Sequence, residues 1–192
     1  MPLFYLDIET DGEDPQQDRV ITAQLQQLAD DLRPVGGFTV LTEWDWGEKE
    51  IVRSVLQRGL LDTTWDFVPV GNRLRFDFTF LMERAQHHKL KEWSPPELRR
   101  YWFDKPMLDL GSVLVLMNAG KFEGSSIGQF VDKRPSADVP LLYRQGKFKE
   151  ILAYVEEEKD ATLALLAEVR AMLTTFGDRK RQQTSPRFAG KT

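Results

Sequence analysis

The feature that most limits the fold is the opening run Leu3-Phe4-Tyr5-Leu6-Asp7-Ile8-Glu9-Thr10, an apolar stretch ending in two acids spaced two apart. Bounded by the turn-rich Asp11-Gly12-Glu13-Asp14-Pro15, this run predicts a buried strand over residues 3–8. Side chains two apart on a strand face the same side, so Asp7 and Glu9 project together while Ile8 turns into the core. Two carboxylates on one face repel each other unless a cation lies between them. Hard oxygen donors of this kind suit Mg²⁺ or Mn²⁺ rather than zinc. The other reading is an acidic, solvated strand end, and the pair alone does not separate the two.

The rest of the chain alternates between strand and helix signals. Residues 20–27 alternate at Ile21, Ala23 and Leu25 and predict a second strand. Gly36-Gly37 leads into a third strand over 38–41. Ile51, Val52, Val55 and Leu56 give a helix over 48–59 that ends at Gly59. A strand over 65–71 runs into Asn72, followed by a helix over 78–88 and a short helix from Pro95-Pro96 to Tyr101. Met107-Leu108-Asp109-Leu110 enters a further helix or strand end, with 113–117 behind it, and Ser125–Phe130 reads as a capped short helix. A long amphipathic helix spans 148–176, and Gly177 opens a polar, basic tail over 177–192. Three leading strands and the alternation behind them predict an α/β fold, a mixed sheet flanked by helices, as one domain over 1–176.

Composition removes several function classes. With a formal net charge of −4 the chain is not a tight, nonspecific duplex-coating protein, although an enzyme that meets phosphate through bound cations stays open. Cysteine is absent, which excludes disulfides and thiolate zinc sites. No apolar run approaches the ~18 residues of a membrane span, and the first residues carry no basic signal region, so the cytoplasm is the expected compartment. His87 and His88 are adjacent and diverge by about 100° on a helix, so they are expected as a surface pair rather than zinc ligands. No phosphate-binding glycine loop, nucleophile elbow or dinucleotide fingerprint is present.

Three further acids require a reading. Asp77 lies at the mouth of the predicted helix over 78–88, where an N-cap or first-turn carboxylate is common. Asp160 sits at the edge of the apolar face of the last helix, while Glu156-Glu157-Glu158 reads as a solvated charge run. Asp109 is expected to be structural.

Taken in order, Leu6-Asp7-Ile8-Glu9-Thr10, then Gly71-Asn72-x-x-x-Phe76-Asp77 with Leu81-x-x-Arg84-Ala85 behind it, then Asp160 before Ala161-Thr162-Leu163, resemble the three motifs of the DEDD superfamily of 3′→5′ exonucleases. The resemblance runs from about Leu3 to Leu166 and is strongest to the branch related to the proofreading domain of family-B DNA polymerases. It implies a ribonuclease H-like fold in which Asp7, Glu9, Asp77 and Asp160 hold two divalent cations, Mg²⁺ or Mn²⁺. Asn72 and Phe76 are then expected to shape the pocket for the terminal nucleotide, with Thr10 near its 3′ end. That superfamily carries a Tyr four residues, or a His five residues, before its last Asp. Counted from Asp160, those positions are Glu156 and Val155, so the attacking water is expected to be oriented by Glu156 or by Tyr154. The implied activity is hydrolysis of single-stranded nucleic-acid ends, DNA ahead of RNA, releasing nucleoside 5′-monophosphates. The alternative is a noncatalytic module of the same fold that binds nucleic acid or a replication or repair protein.

Overall fold

A computed structural model describes residues 1–62, 66–131 and 138–184, with side chains to Arg181. The first strand, β1 (Leu3–Thr10), pairs antiparallel with β2 (Val20–Leu28), which pairs antiparallel with β3 (Pro34–Thr42). On its other edge β1 runs parallel to β4 (Val68–Gly71), and β4 runs parallel to β5 (Leu108–Asp109), giving the order β3-β2-β1-β4-β5. The predicted mixed sheet is therefore present. Its antiparallel half is made by local hairpins, and its parallel half requires helical crossovers.

Those helices are α1 (Glu43–Trp46), α2 (Glu48–Gln57), α3 (Leu74–His87), α4 (Pro95–Arg99), α5 (Leu110–Met117), α6 (Val139–Arg144) and α7 (Phe148–Thr184). Alternation along β1 divides the core in two. Leu6 and Ile8 pack with Ile51, Val52, Phe78 and Leu81 of α2 and α3. Tyr5 and Val70 turn to the other face, against Leu110, Leu114, Leu163 and Leu166 of α5 and α7. Asp7 and Glu9 share the face of Tyr5, so the acids look toward α7.

Several boundaries differ from the sequence expectation. Helix α3 begins at Leu74 rather than Phe78, because Arg73 adopts a left-handed conformation (φ 59°) that turns the chain out of β4 one helical turn earlier. Asp77 therefore lies in the first turn of the helix rather than at its N-cap, and it is buried. The short helix from Pro95 is capped by a reciprocal Ser94–Glu97 pair and passes into one π-helical turn over Arg100–Asp104. Ser125–Phe130 holds only a single 3₁₀ turn, Ile127–Gln129. Gly177 does not end α7, which continues to Thr184 across the expected boundary at 176. Trp65 and residues 185–192 of the tail lie outside the described residues.

A buried ion pair fixes the loop that follows β1. Glu48 accepts hydrogen bonds from Arg84 Nε and Nη2, both at 2.7 Å, and from the Val20 N–H at 3.0 Å. His88 Nε2 lies 2.6 Å from the same carboxylate, and Arg84 Nη1 reaches the Pro15 carbonyl at 3.0 Å. Burial alone raises the Glu48 pKa, but the bonds from Arg84, Val20 and His88 outweigh it and hold the group below the ordinary range. The expected surface histidine pair is thus divided: His87 is exposed, whereas His88 is half-buried on this carboxylate.

Candidate metal centre

Oxygens of Asp7, Glu9 and Glu158 lie within 4.8 Å of one another at the C-terminal end of β1. The strand contributes Asp7 and Glu9 from one face, and a register shift at Glu9/Thr10 marks a bulge where pairing with β2 becomes irregular. Buried polar residues stand opposite them in register, Gln24 across from Asp7 and Thr22 across from Glu9, linked by a 2.8 Å hydrogen bond. Glu158 comes from α7, whose buried line runs through Ile151, Val155 and Thr162. At 3.6 residues per turn, position 158 continues that line.

Asp160 lies about 200° around the helix from Glu158. Its side chain is 67% exposed and pairs with Lys159 at 3.1 Å. The structure thus brings Glu158, not Asp160, to Asp7 and Glu9, and the charge run read as solvated contains a residue of the cluster. Glu156 is exposed on the outer side of α7. Tyr154 is buried, and its hydroxyl donates a hydrogen bond to Glu158, four residues on. Counted from Glu158 rather than Asp160, a tyrosine stands at the interval the superfamily uses. Two signals in the sequence pointed there: the register of 158 with Val155 and Thr162, and this interval.

Asp77 completes the acidic group from α3. It is 3% exposed, and its Oδ2 has no hydrogen-bond partner among the described residues. Burial, then the charges of Asp7, Glu9, Asp109 and Glu158, raise its pKa well above the ordinary carboxylate value. Burial and the charges of Glu9 and Glu158 likewise push up the Tyr154 phenol, which stays a hydrogen-bond donor at neutral pH. An uncompensated buried carboxylate among three others is unfavourable, and bound cations are the natural compensation. The donor set consists wholly of carboxylate oxygens, which fits Mg²⁺ or Mn²⁺. On these observations the residues suit the cations that the sequence motifs imply.

The neighbouring expected residues fall around this group. Gly71 allows β4 to approach β1: a Cβ there would lie 2.6 Å from the Leu6 carbonyl oxygen and 2.7 Å from Leu74. Asn72 follows it, with a buried Oδ1 that has no partner among the described residues. Phe76 is 40% exposed beside Phe80. Thr10 donates its hydroxyl proton to the Gly12 carbonyl at 2.6 Å, so that proton is already used within the turn. Asp109 accepts from the Gly111 and Arg73 N–H groups, both at 2.8 Å, a structural role, and its charge is also among those acting on Asp77. A separate cleft of about 560 Å³ lies under the C-terminal half of α7, between Leu3, Leu32, Val113, Leu166 and Val169. It is lined by none of the four acids. Among the described residues no helix is long and apolar enough to cross a membrane.

The five-stranded mixed sheet with its flanking helices is a ribonuclease H-like α/β fold. Solved structures of Escherichia coli exonuclease I share it. One, in complex with a dT13 oligonucleotide, aligns over 93% of this chain and 43% of its own with a TM-score of 0.60 and 13% identity. A zinc-bound exonuclease I–ssDNA complex aligns over 93% and 42%, with a TM-score of 0.59 and 14% identity. A third exonuclease I structure covers 88% of this chain and 41% of its own, at a TM-score of 0.56 and 14% identity. The chain therefore spans less than half the length of the exonuclease I chains it matches. No family model matches the sequence, and no curated protein matches it.

Proposed function

We propose that this chain is a metal-dependent 3′→5′ exonuclease of the DEDD superfamily that trims single-stranded ends, DNA in preference to RNA, and releases nucleoside 5′-monophosphates. The observation that carries the proposal is the meeting of Asp7, Glu9 and Glu158 beside buried Asp77. In this reading the metal ligands are Asp7, Glu9, Asp77 and Glu158, and Glu158 takes the role the sequence motif suggested for Asp160. Bound Mg²⁺ or Mn²⁺ would supply Lewis acidity toward the scissile phosphate and lower the pKa of bound water.

The protein's own groups have distinct tasks. Asp7 and Glu9, fixed on a strand, set the position of negative charge. Tyr154 stays protonated, holds the Glu158 carboxylate in one orientation, and is the group that orients the attacking water. The unpartnered Asn72 oxygen is available to a donor on the terminal nucleotide, and Phe76 offers a ring face to its base. Within the superfamily, the tyrosine four residues before Glu158 favours the branch related to family-B polymerase proofreading domains. A cytoplasmic location is part of the same proposal.

A noncatalytic module of this fold, binding nucleic acid or a replication or repair protein, is the competing reading. The Tyr154–Glu158 pair, which puts a tyrosine beside the acids, supports the catalytic one. The test is release of labelled mononucleotide from 3′- and 5′-labelled single-stranded DNA and RNA with Mg²⁺, Mn²⁺ or EDTA. Cation-dependent trimming from the 3′ end, lost in Asp7→Ala, is expected. Turnover unchanged in Asp7→Ala, or no turnover under any condition, would overturn the assignment.

A further inference from the structure

The first turn of α3 carries more than Asp77. Arg73, the left-handed residue that precedes the helix, and Arg75 in its first turn reach rings on two different segments. The Arg73 guanidinium lies 5.0 Å from the centre of the Phe122 ring, in the loop after α5. The Arg75 guanidinium lies 5.7 Å from the centre of the Trp102 ring, in the π-helical turn after α4. Phe76, the residue after Arg75, is exposed, and the next residue is buried Asp77. Two arginine–aromatic pairs therefore bracket the helical turn that feeds the carboxylate group.

The segments that carry these pairs also expose large rings. Phe122 is 70% exposed and Phe103, next to Trp102, is 78% exposed. Exposed rings beside such arginine pairs suit a binding surface. Charge points the same way. Arg99, Arg100 and Lys121 are exposed on the segments that carry these rings, and with Arg73 and Arg75 they outnumber the exposed acids there, Asp104 and Glu123, although half-buried Glu97 and buried Asp77 lie on the same segments. In a chain of net charge −4, this local excess of cations interleaved with rings matches a polyanion that carries flat apolar faces.

Resting on the nuclease reading above, we propose that Arg73 with Phe122 and Arg75 with Trp102 form a two-sided rim that grips a single strand of nucleic acid behind its terminal nucleotide. Guanidinium groups neutralise phosphates, and bases stack against the ring and guanidinium faces. A duplex end, with its bases already paired and stacked, cannot use the rings in this way.

The test measures equilibrium binding of a 5′-labelled oligo-dT to the full chain in EDTA, so that binding is read without turnover. Wild type is compared with Arg75→Ala, Phe122→Ala and Arg73→Ala, each checked for an unchanged melting temperature, and with Arg75→Lys. Each alanine variant is expected to bind about tenfold more weakly. Each arginine variant should also flatten the dependence of log affinity on log salt by about 0.7. Arg75→Lys should restore the salt slope but not the full affinity, because an ammonium does not stack as a guanidinium does. Wild-type affinity in the folded alanine variants would overturn the rim while leaving trimming by the wild type intact as evidence for the nuclease. Loss of binding in a chain that does not hydrolyse would support the rim and count against the nuclease. A wild type that fails to bind the oligonucleotide overturns the rim outright.

Discussion

The Tyr154 hydroxyl donates a hydrogen bond to the Glu158 carboxylate one turn along α7, and that turn carries both groups to the acids of β1. Asp160, two residues further, is turned to solvent. The two neighbouring acids must therefore respond differently to amide substitution. Glu158→Gln should lower cation-dependent release of mononucleotide by about 10²-fold or more, on the scale of losing a group in direct contact with the reacting centre. Asp160→Asn should leave it within about twofold, as for an exposed position. Single-turnover rates on a 3′-labelled strand compare them directly. Equal losses in both variants would refute the arrangement.

Tyr154→Phe removes the hydroxyl and keeps the ring in its buried site against Ile21, Ile151 and Val155. The rate should fall by about 10²–10⁴-fold, with the cation requirement retained. A titration of Mn²⁺ against melting temperature separates loss of the hydroxyl from loss of metal: the rise in melting temperature should survive Tyr154→Phe.

Cation binding should stabilise the folded chain, since ligands that bind only the native state raise its stability by about 2.7 kcal/mol at a hundredfold excess over Kd. Asp77→Asn should abolish most of this effect. It should also raise the melting temperature of the cation-free protein, because burial and the neighbouring acids, which push the Asp77 pKa up, then no longer act on an ionisable group there. A cation-free melting temperature lower than wild type would contradict this account.

The Glu48 clamp predicts a pH dependence of stability. Its pKa in the folded chain is lowered, so the unfolded chain binds the proton more readily. The stabilisation is present above the unfolded value of about 4.3 and is lost as pH falls through the folded value. Glu48→Gln should cost about 3–5 kcal/mol at neutral pH, as expected when one partner of a buried pair is removed, and should weaken this acid-side dependence. Urea unfolding at pH 7 and at pH 4 measures both effects.

Much of the fold was legible because its signals are local. Apolar runs and alternation gave β1 and β2 nearly to their ends, and the periodicity of 148–176 gave most of α7. The start of α3 was missed because Leu74 and Arg75 enter a helix through a left-handed Arg73, a conformation that carries no composition signal. Asp7, Glu9 and Asp77 stand in short motifs, and the structure brings Asp7 and Glu9 together with Asp77 buried nearby. Glu158 was not legible, because a run of three glutamates looks solvated until the register of the buried line through Val155 and Thr162 singles out one of them. The aromatic rim was also hidden, since Arg73 meets Phe122 and Arg75 meets Trp102 across separate segments.

The carboxylate group draws on a strand at one end of the chain and on α7 near the other. On the reading proposed above, the acids that would hold the cations come together only where α7 packs against the sheet. A backbone break anywhere between β1 and α7 would then part the ligands unless the two pieces stay associated.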